Sequence, residues 1–195
     1  MKTIAVANQK GGVGKTTLSF NLAHILSKRA RVLAVDNDAQ AHLTKSLTKE
    51  PISKIYEAYQ GNTVRPQKIT KKLDLIGSDK TLASITDGNL ETIFRLKDCM
   101  QNMIGYDYAI IDCLPGESFI QKSALIAADY VLIPVTAAAY SLQGMVDFLA
   151  SIQTIKNRFN PDLEIVGIVI NQVDGRKLTV ERQIEETLRE TYGSI

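Results

Sequence analysis

The sequence predicts an α/β fold, with a mostly parallel, twisted β-sheet flanked by helices. Three observations carry that expectation. Short β-branched runs alternate with longer helical segments along the whole chain. The strand-like runs are apolar almost throughout, as in strands covered on both faces. A glycine-rich turn joins the first such run to the first helical segment.

Taken in order, Thr3 to Ala7 reads as the opening strand. The helix after the turn spans about 15–28, because Leu18, Leu22, Ile25 and Leu26 recur at helical spacing. Arg31 to Asp36 is the second strand and Leu73 to Gly77 a shorter one. Between them, 44–72 holds several lysines, two prolines and little periodicity, so one short helix and exposed loops are expected. Tyr106 to Asp112, Tyr130 to Val135 and Glu164 to Asn171 complete the strands. Helices are expected at about 89–104, 118–128, 141–159 and 178–192.

The 195 residues suit one domain, which can bury a core without a disulfide or metal staple. Apolar residues make up 45% and charged residues 23%, ordinary values for a soluble globular chain. A net charge of +2 argues neither for nor against nucleic acid. Cys99 and Cys113 lack metal-type spacing and suit a reducing cytosol. The N-terminus lacks the pattern of a signal peptide. The longest apolar stretch, Ala124 to Ala139, is broken by Asp129 and Pro134 and is too short to span a bilayer.

The segment Ala7-Asn8-Gln9-Lys10-Gly11-Gly12-Val13-Gly14-Lys15-Thr16-Thr17 sits between a strand and a helix, the context of a phosphate-binding loop. Main-chain N–H groups converge on phosphate oxygens only where side chains do not intervene, hence the glycines. The start of the following helix adds unpaired donors and partial positive charge. Lys15 supplies a full charge to the β- and γ-phosphates, and the Thr16 hydroxyl is placed to ligate magnesium. The fold is therefore expected to be a three-layer P-loop NTPase. Gln9 stands where the common pattern has its first glycine, and Lys10 precedes the glycines.

Lys10-Gly11-Gly12-Val13-Gly14-Lys15-Thr16-Thr17 resembles the deviant Walker A of the ParA/MinD family of ATPases. The resemblance implies nucleotide binding across Lys10 to Thr17. It also implies that Lys10 reaches the nucleotide of a second subunit, so that dimerisation depends on ATP. Two facing triphosphates repel, and a cation crossing from each subunit offsets the repulsion.

Asp36-Asn37-Asp38-Ala39-Gln40 resembles the family's D-x-D-P-Q segment, in which the residue matching Asp38 positions the attacking water. Taken alone, Asp38 would also serve as a helix N-cap. Ala39 and Asn37 depart from the family pattern without removing a charge or ligand, and Gln40 favours the ParA branch over the Min branch. Tyr106 to Asp112 has the form of a Walker B strand, whose Asp112 holds magnesium through water. Cys113-Leu114-Pro115-Gly116 resembles the family's D-T-P-P-G switch turn, with Leu114 departing from it. Asn171, at the end of its strand, matches the family's adenine-recognising asparagine, and an amide can pair with both the amino group and a ring nitrogen. It equally suits a turn before Gln172-Val173-Asp174-Gly175.

Three function classes share such a site. A positioning ATPase would bind DNA nonspecifically and segregate plasmid, chromosome or other cargo. A Min-type ATPase would sit on membrane. A ligase of the dethiobiotin-synthetase type would use ATP on a small substrate. The last helix carries Glu181, Glu185, Glu186 and Glu190 against Arg182 and Arg189, which disfavours anionic lipid. A ligase would leave Lys10 and the Asp36 to Gln40 match unexplained.

For DNA, Arg189 resembles a basic position of the family, and Arg158, Arg176, Lys177 and Arg182 could join it. Arg65, Lys68, Lys71 and Lys72 form a second basic area. The expectation is thus an ATP- and Mg2+-dependent homodimer acting with a ParB-like or other centromere- or cargo-adaptor protein, without a membrane. It would be cytoplasmic, and nucleoid-associated when ATP-bound. A single domain over 1–195 is expected to lack the further strand and helices with which family members continue.

Overall fold

The computed structural model describes residues 1–136, 142–173 and 179–192. Its centre is a seven-stranded sheet of order β3-β4-β2-β5-β1-β6-β7. The strands are β1 (Lys2–Val6), β2 (Val32–Asn37), β3 (Gln67–Lys68), β4 (Leu73–Ile76), β5 (Tyr108–Cys113), β6 (Tyr130–Thr136) and β7 (Glu164–Asn171). Every pairing is parallel except the β3–β4 hairpin at one edge.

The helices are α1 (Lys15–Ser27), α2 (His42–Leu47), α3 (Ile55–Tyr59), α4 (Leu90–Gln101), α5 (Phe119–Ala127), α6 (Leu142–Arg158) and α7 (Thr179–Tyr192). Successive strand residues point to opposite faces, and two cores form. Ala5, Leu33, Val35, Ala109 and Ile111 face one core with residues of α3 to α6. Val6, Val32, Ala34 and Ile110 face the other, against α1 and Leu43 of α2. The result is the expected three-layer arrangement.

Two details differ from the sequence expectation. Ile25 follows the helical spacing of α1 yet is 60% exposed, because Leu18, Leu22 and Leu26 already fill the strip of α1 that touches the sheet. The lysine-rich 44–72 segment carries more order than one short helix. It holds the end of α2, all of α3 and the β3 edge strand. Ile55, Ala58 and Tyr59 anchor α3 in the core, a local apolar cluster too short to display a period.

In α7, Leu188 is buried and Ile184 packs against the core, so this stripe is a packing face. Among the described residues, no helix is long and apolar enough to cross a membrane.

Candidate functional site

The C-terminal ends of β1, β2 and β5 lie side by side, with Val6 in register with Asp112 and Asp36 with Asp112. Ligands of parallel α/β sheets sit at this end of the strands. The loop after β1 is held from within and from outside. Asn8 donates to the Pro134 carbonyl (2.8 Å) and accepts from the Lys10 N–H (2.9 Å). Gln9 donates to Glu117 (2.5 Å), and its carbonyl accepts the Gly116 N–H (2.9 Å). The last two contacts tie the loop to the turn after β5.

Gly12 and Gly14 adopt φ of 73° and 89°, the left-handed region that glycine enters without steric cost. At position 14 a β-carbon would also overlap Asn171 Nδ2. At Gly11 and Gly12 it would meet nothing within 4 Å, so the space above the loop is open. No side chain caps the first turn of α1, whose N–H groups stay available to an anion.

Lys15, the first residue of α1, is buried, and its ammonium donates to the Lys10 carbonyl (2.8 Å). Burial lowers its pKa, while the carboxylates of Asp112 and Asp38 oppose the shift. Lys10 has an exposed side chain with no ion-pair partner among the described residues.

Asp112 is the penultimate residue of β5 and is 1% exposed. Its Oδ1 accepts from Ser19 Oγ (3.0 Å), whereas Oδ2 is buried without a hydrogen-bond partner among the described residues. Burial pushes its pKa up to about 7, assisted by Asp36 and Asp38, while the Thr16 and Ser19 hydroxyls pull the other way. A buried carboxylate oxygen left over beside the Thr16 hydroxyl fits a magnesium ion, directly or through water. Among the described residues no cluster of three or more His, Cys, Asp or Glu side chains could hold a metal alone. Magnesium here would therefore depend on nucleotide phosphate oxygens as further ligands.

Asp36 and Asp38 divide the work of the loop after β2. Asp36 is fully buried and accepts from the Thr44 N–H (2.7 Å), the Thr44 hydroxyl (2.6 Å) and the Asp38 N–H (3.2 Å). Burial raises its pKa to about 6 against those hydrogen bonds. Asp38 is half-buried, and among the described residues its carboxylate accepts only the Gln40 N–H (2.9 Å). Asn37 is buried too, accepting from the Tyr59 hydroxyl (3.1 Å) and donating to the Ile120 carbonyl (3.2 Å), so its amide is satisfied in the core.

Asn171 donates to the Val13 carbonyl (3.0 Å), and Gln172, at φ 57°, to the Gly12 carbonyl (3.2 Å). The end of β7 thus reaches the phosphate loop itself. Cys113 is buried with its thiol pKa pushed up by burial, a packed residue and not a reactive one.

Arg158 and Arg189 are exposed in the last turns of α6 and α7. Arg176 and Lys177 lie outside the described residues, as does the side chain of Arg182. Arg65, Lys68 and Lys71 are exposed around β3, and Lys72 donates to the Arg29 carbonyl (3.2 Å). The sequence motifs contain Asn8 and Asp36 without assigning them a role, and they do not include Ser19 or Thr44. Ser19 was the one with a signal, standing one helical turn after Lys15 on the same face.

A glycine-rich strand–loop–helix turn with a buried lysine and two carboxylates at neighbouring strand ends defines a P-loop nucleotide-binding protein. Residues 1–165 match the AAA domain family. The chromosome-partitioning ATPase Soj of Thermus thermophilus is 35% identical over 202 residues, covering 99% of this chain and 78% of the relative. A putative plasmid partition protein from Borrelia burgdorferi, solved with AMPPNP bound, superposes with a TM-score of 0.84 at 31% identity, over 97% of this chain and 82% of that one. Cobyrinic acid a,c-diamide synthase from Mycobacterium smegmatis, solved with ADP and magnesium, gives 0.87 at 29% identity, over 98% and 82%. The chain belongs to the ParA-type partitioning ATPases.

Proposed function

We propose that the protein is an ATP-gated dimer that binds DNA nonspecifically and positions plasmid, chromosome or other cargo, with ATP hydrolysis resetting the cycle. The observation that carries this reading is the combination, on one glycine-rich loop, of a buried Lys15 with an exposed Lys10 that has no ion-pair partner among the described residues.

ATP is held by main-chain N–H groups of Gly11 to Thr17 and by Lys15, which leaves the Lys10 carbonyl for the β- and γ-phosphates. Thr16 and Asp112 hold Mg2+, which when bound neutralises charge on the phosphate oxygens. Asn171 keeps one N–H on Val13 and turns its remaining N–H and carbonyl to the adenine edge. Lys10 crosses to the nucleotide of a second copy. Asp38, whose carboxylate accepts one backbone N–H among the described residues, orients the attacking water.

The dimer brings the basic residues Arg158, Arg176, Lys177 and Arg189 of two chains to one DNA duplex. A ParB-like or other cargo-adaptor protein accelerates hydrolysis, which dissolves the dimer and frees the DNA. The protein works in the cytoplasm, on the nucleoid while ATP is bound.

Retention of duplex DNA with ATP, with ADP and without nucleotide tests this. Retention with ATP alone, falling steeply with salt, is expected. Equal retention in all three conditions would sink the switch.

A further inference from the structure

A second basic recess lies beside the Asp38 loop. This cleft of about 520 Å³ includes Ala39, Ala41 and Pro51 in its lining. Four lysines stand around it: Lys45, Lys49, Lys54 and Lys80. Only two carboxylates join them, Glu50 and Asp79, leaving two positive charges in excess. Lys54 is engaged with Asp79 (2.5 Å), and Lys45 donates to the Gln40 carbonyl (2.7 Å). Lys49 and Lys80 are exposed and have no ion-pair partner among the described residues.

An independent feature sits in the lining of the same recess. Ser78 is 2% exposed and lines the cleft, yet its hydroxyl is buried without a hydrogen-bond partner among the described residues. Buried hydroxyls are normally paired, so this orphan calls for a partner that the described residues do not supply. An excess of two charges around a recess whose lining includes an unsatisfied hydroxyl matches a phosphate monoester, which carries close to two negative charges near neutral pH. The volume is that of a small-molecule site, which spans roughly 300–1,000 Å³.

The lining is also wired to the loop it borders. The Ser78 N–H donates to Thr44 Oγ1 (2.9 Å), and that hydroxyl donates to Asp36 Oδ2 (2.6 Å). The other oxygen of Asp36 accepts the Asp38 N–H (3.2 Å). Three hydrogen bonds therefore run from the cleft to the backbone of Asp38. Lys45 supplies a second link, because an anion drawing its ammonium inward would release the Gln40 carbonyl.

We propose that the cleft walled by Lys45, Lys49, Lys54 and Lys80 and lined by Ser78 is a second anion site. It takes the phosphate group of a small ligand, and its occupancy adjusts the Asp38 loop and hence the hydrolysis rate. The binding half stands by itself, whereas the coupling half rests on the role of Asp38 proposed above.

The test uses the full chain, isotope-labelled, with the P-loop saturated by AMPPNP and Mg2+, and inorganic phosphate as the probe. Backbone amide signals of Ser78, Thr44 and Asp38 should shift and saturate together. Lys49→Ala with Lys80→Ala should weaken that response about tenfold, as expected for removing two exposed charges. Ser78→Ala keeps the backbone N–H, so hydrolysis without added phosphate should be unchanged while phosphate binding weakens.

Unmoved signals, or a response equal in the lysine variant, would mean an adventitious ion only and overturn the site. Duplex DNA shifting these amides while phosphate does not would overturn the small-ligand assignment in favour of a DNA contact. For coupling, added phosphate should change the ATP hydrolysis rate of the wild type more than that of Ser78→Ala. Equal rate changes in both, with the Ser78 signal saturated in the wild type, would overturn the coupling and leave the binding site standing.

Discussion

The turn after β1 and the turn after β2 leave neighbouring regions of the same sheet, yet their anchoring differs. In the first, Asn8 and Gln9 tie the loop to Pro134 and Glu117, Asn171 and Gln172 each hold one of its carbonyls, and the central lysine is buried. In the second, the Asp36 carboxylate is locked by three hydrogen bonds, while the Asp38 carboxylate, two residues on, accepts one hydrogen bond among the described residues and is half-buried. A phosphate cradle benefits from rigidity, because donors fixed in place need no reorganisation when charge arrives. A residue that must orient water in one nucleotide state and not another needs an anchored base and a loose tip. Buried Asp36 supplies the base and Asp38 the tip.

Separating the two loops by mutation sharpens the contrast. Asp38→Ala should cut the hydrolysis rate about 10²–10⁴-fold, the range for losing a positioned acid–base group. ATP affinity should stay within about threefold, because the cradle is untouched. Phosphate release and equilibrium titration measure the two quantities. Equal losses in both would mean that the loops form one unit.

Lys15→Ala should do the reverse and weaken ATP binding by about 2–5 kcal/mol, the cost of deleting one partner of a buried charge pair. Calorimetric titration reads it directly.

A smaller effect tests the anchored base alone. The folded chain holds the Asp36 pKa at about 6, above the ordinary 3.8, through burial. The folded state therefore binds its proton more tightly than the unfolded state. Its contribution to stability is fully present below about pH 4 and is lost as pH rises to about 6, by up to ~3 kcal/mol. Urea melts of the nucleotide-free protein across that window should show the slope, and Asp36→Asn should reduce it, leaving the part that Asp112 supplies in the same direction through its own raised pKa.

How far the sequence spoke differed between the same two regions. The phosphate loop is one contiguous string whose glycines, lysines and flanking elements are all local, so Lys10 to Thr17 could be placed without coordinates. The alternation of apolar runs likewise gave the parallel sheet and its helical layers. The second loop depends on partners brought by the fold. Thr44 lies eight residues beyond Asp36, Tyr59 meets Asn37, and Ser78 closes the chain of bonds from the loop after β4. No period or motif links such residues before the sheet brings them together. Asn171 shows the same limit. Its place at a strand end was legible, but its hold on Val13 came from β7 packing toward the loop after β1.

The central claim is that Lys10 makes dimerisation answer to ATP. Sedimentation velocity of the Asp38→Ala protein, which retains ATP, measures this with and without Lys10→Ala. The account predicts a dimer with ATP and Mg2+, a monomer with ADP, and a monomer in every condition once Lys10 is removed. A dimer that forms equally with ADP, or that survives Lys10→Ala, would contradict it.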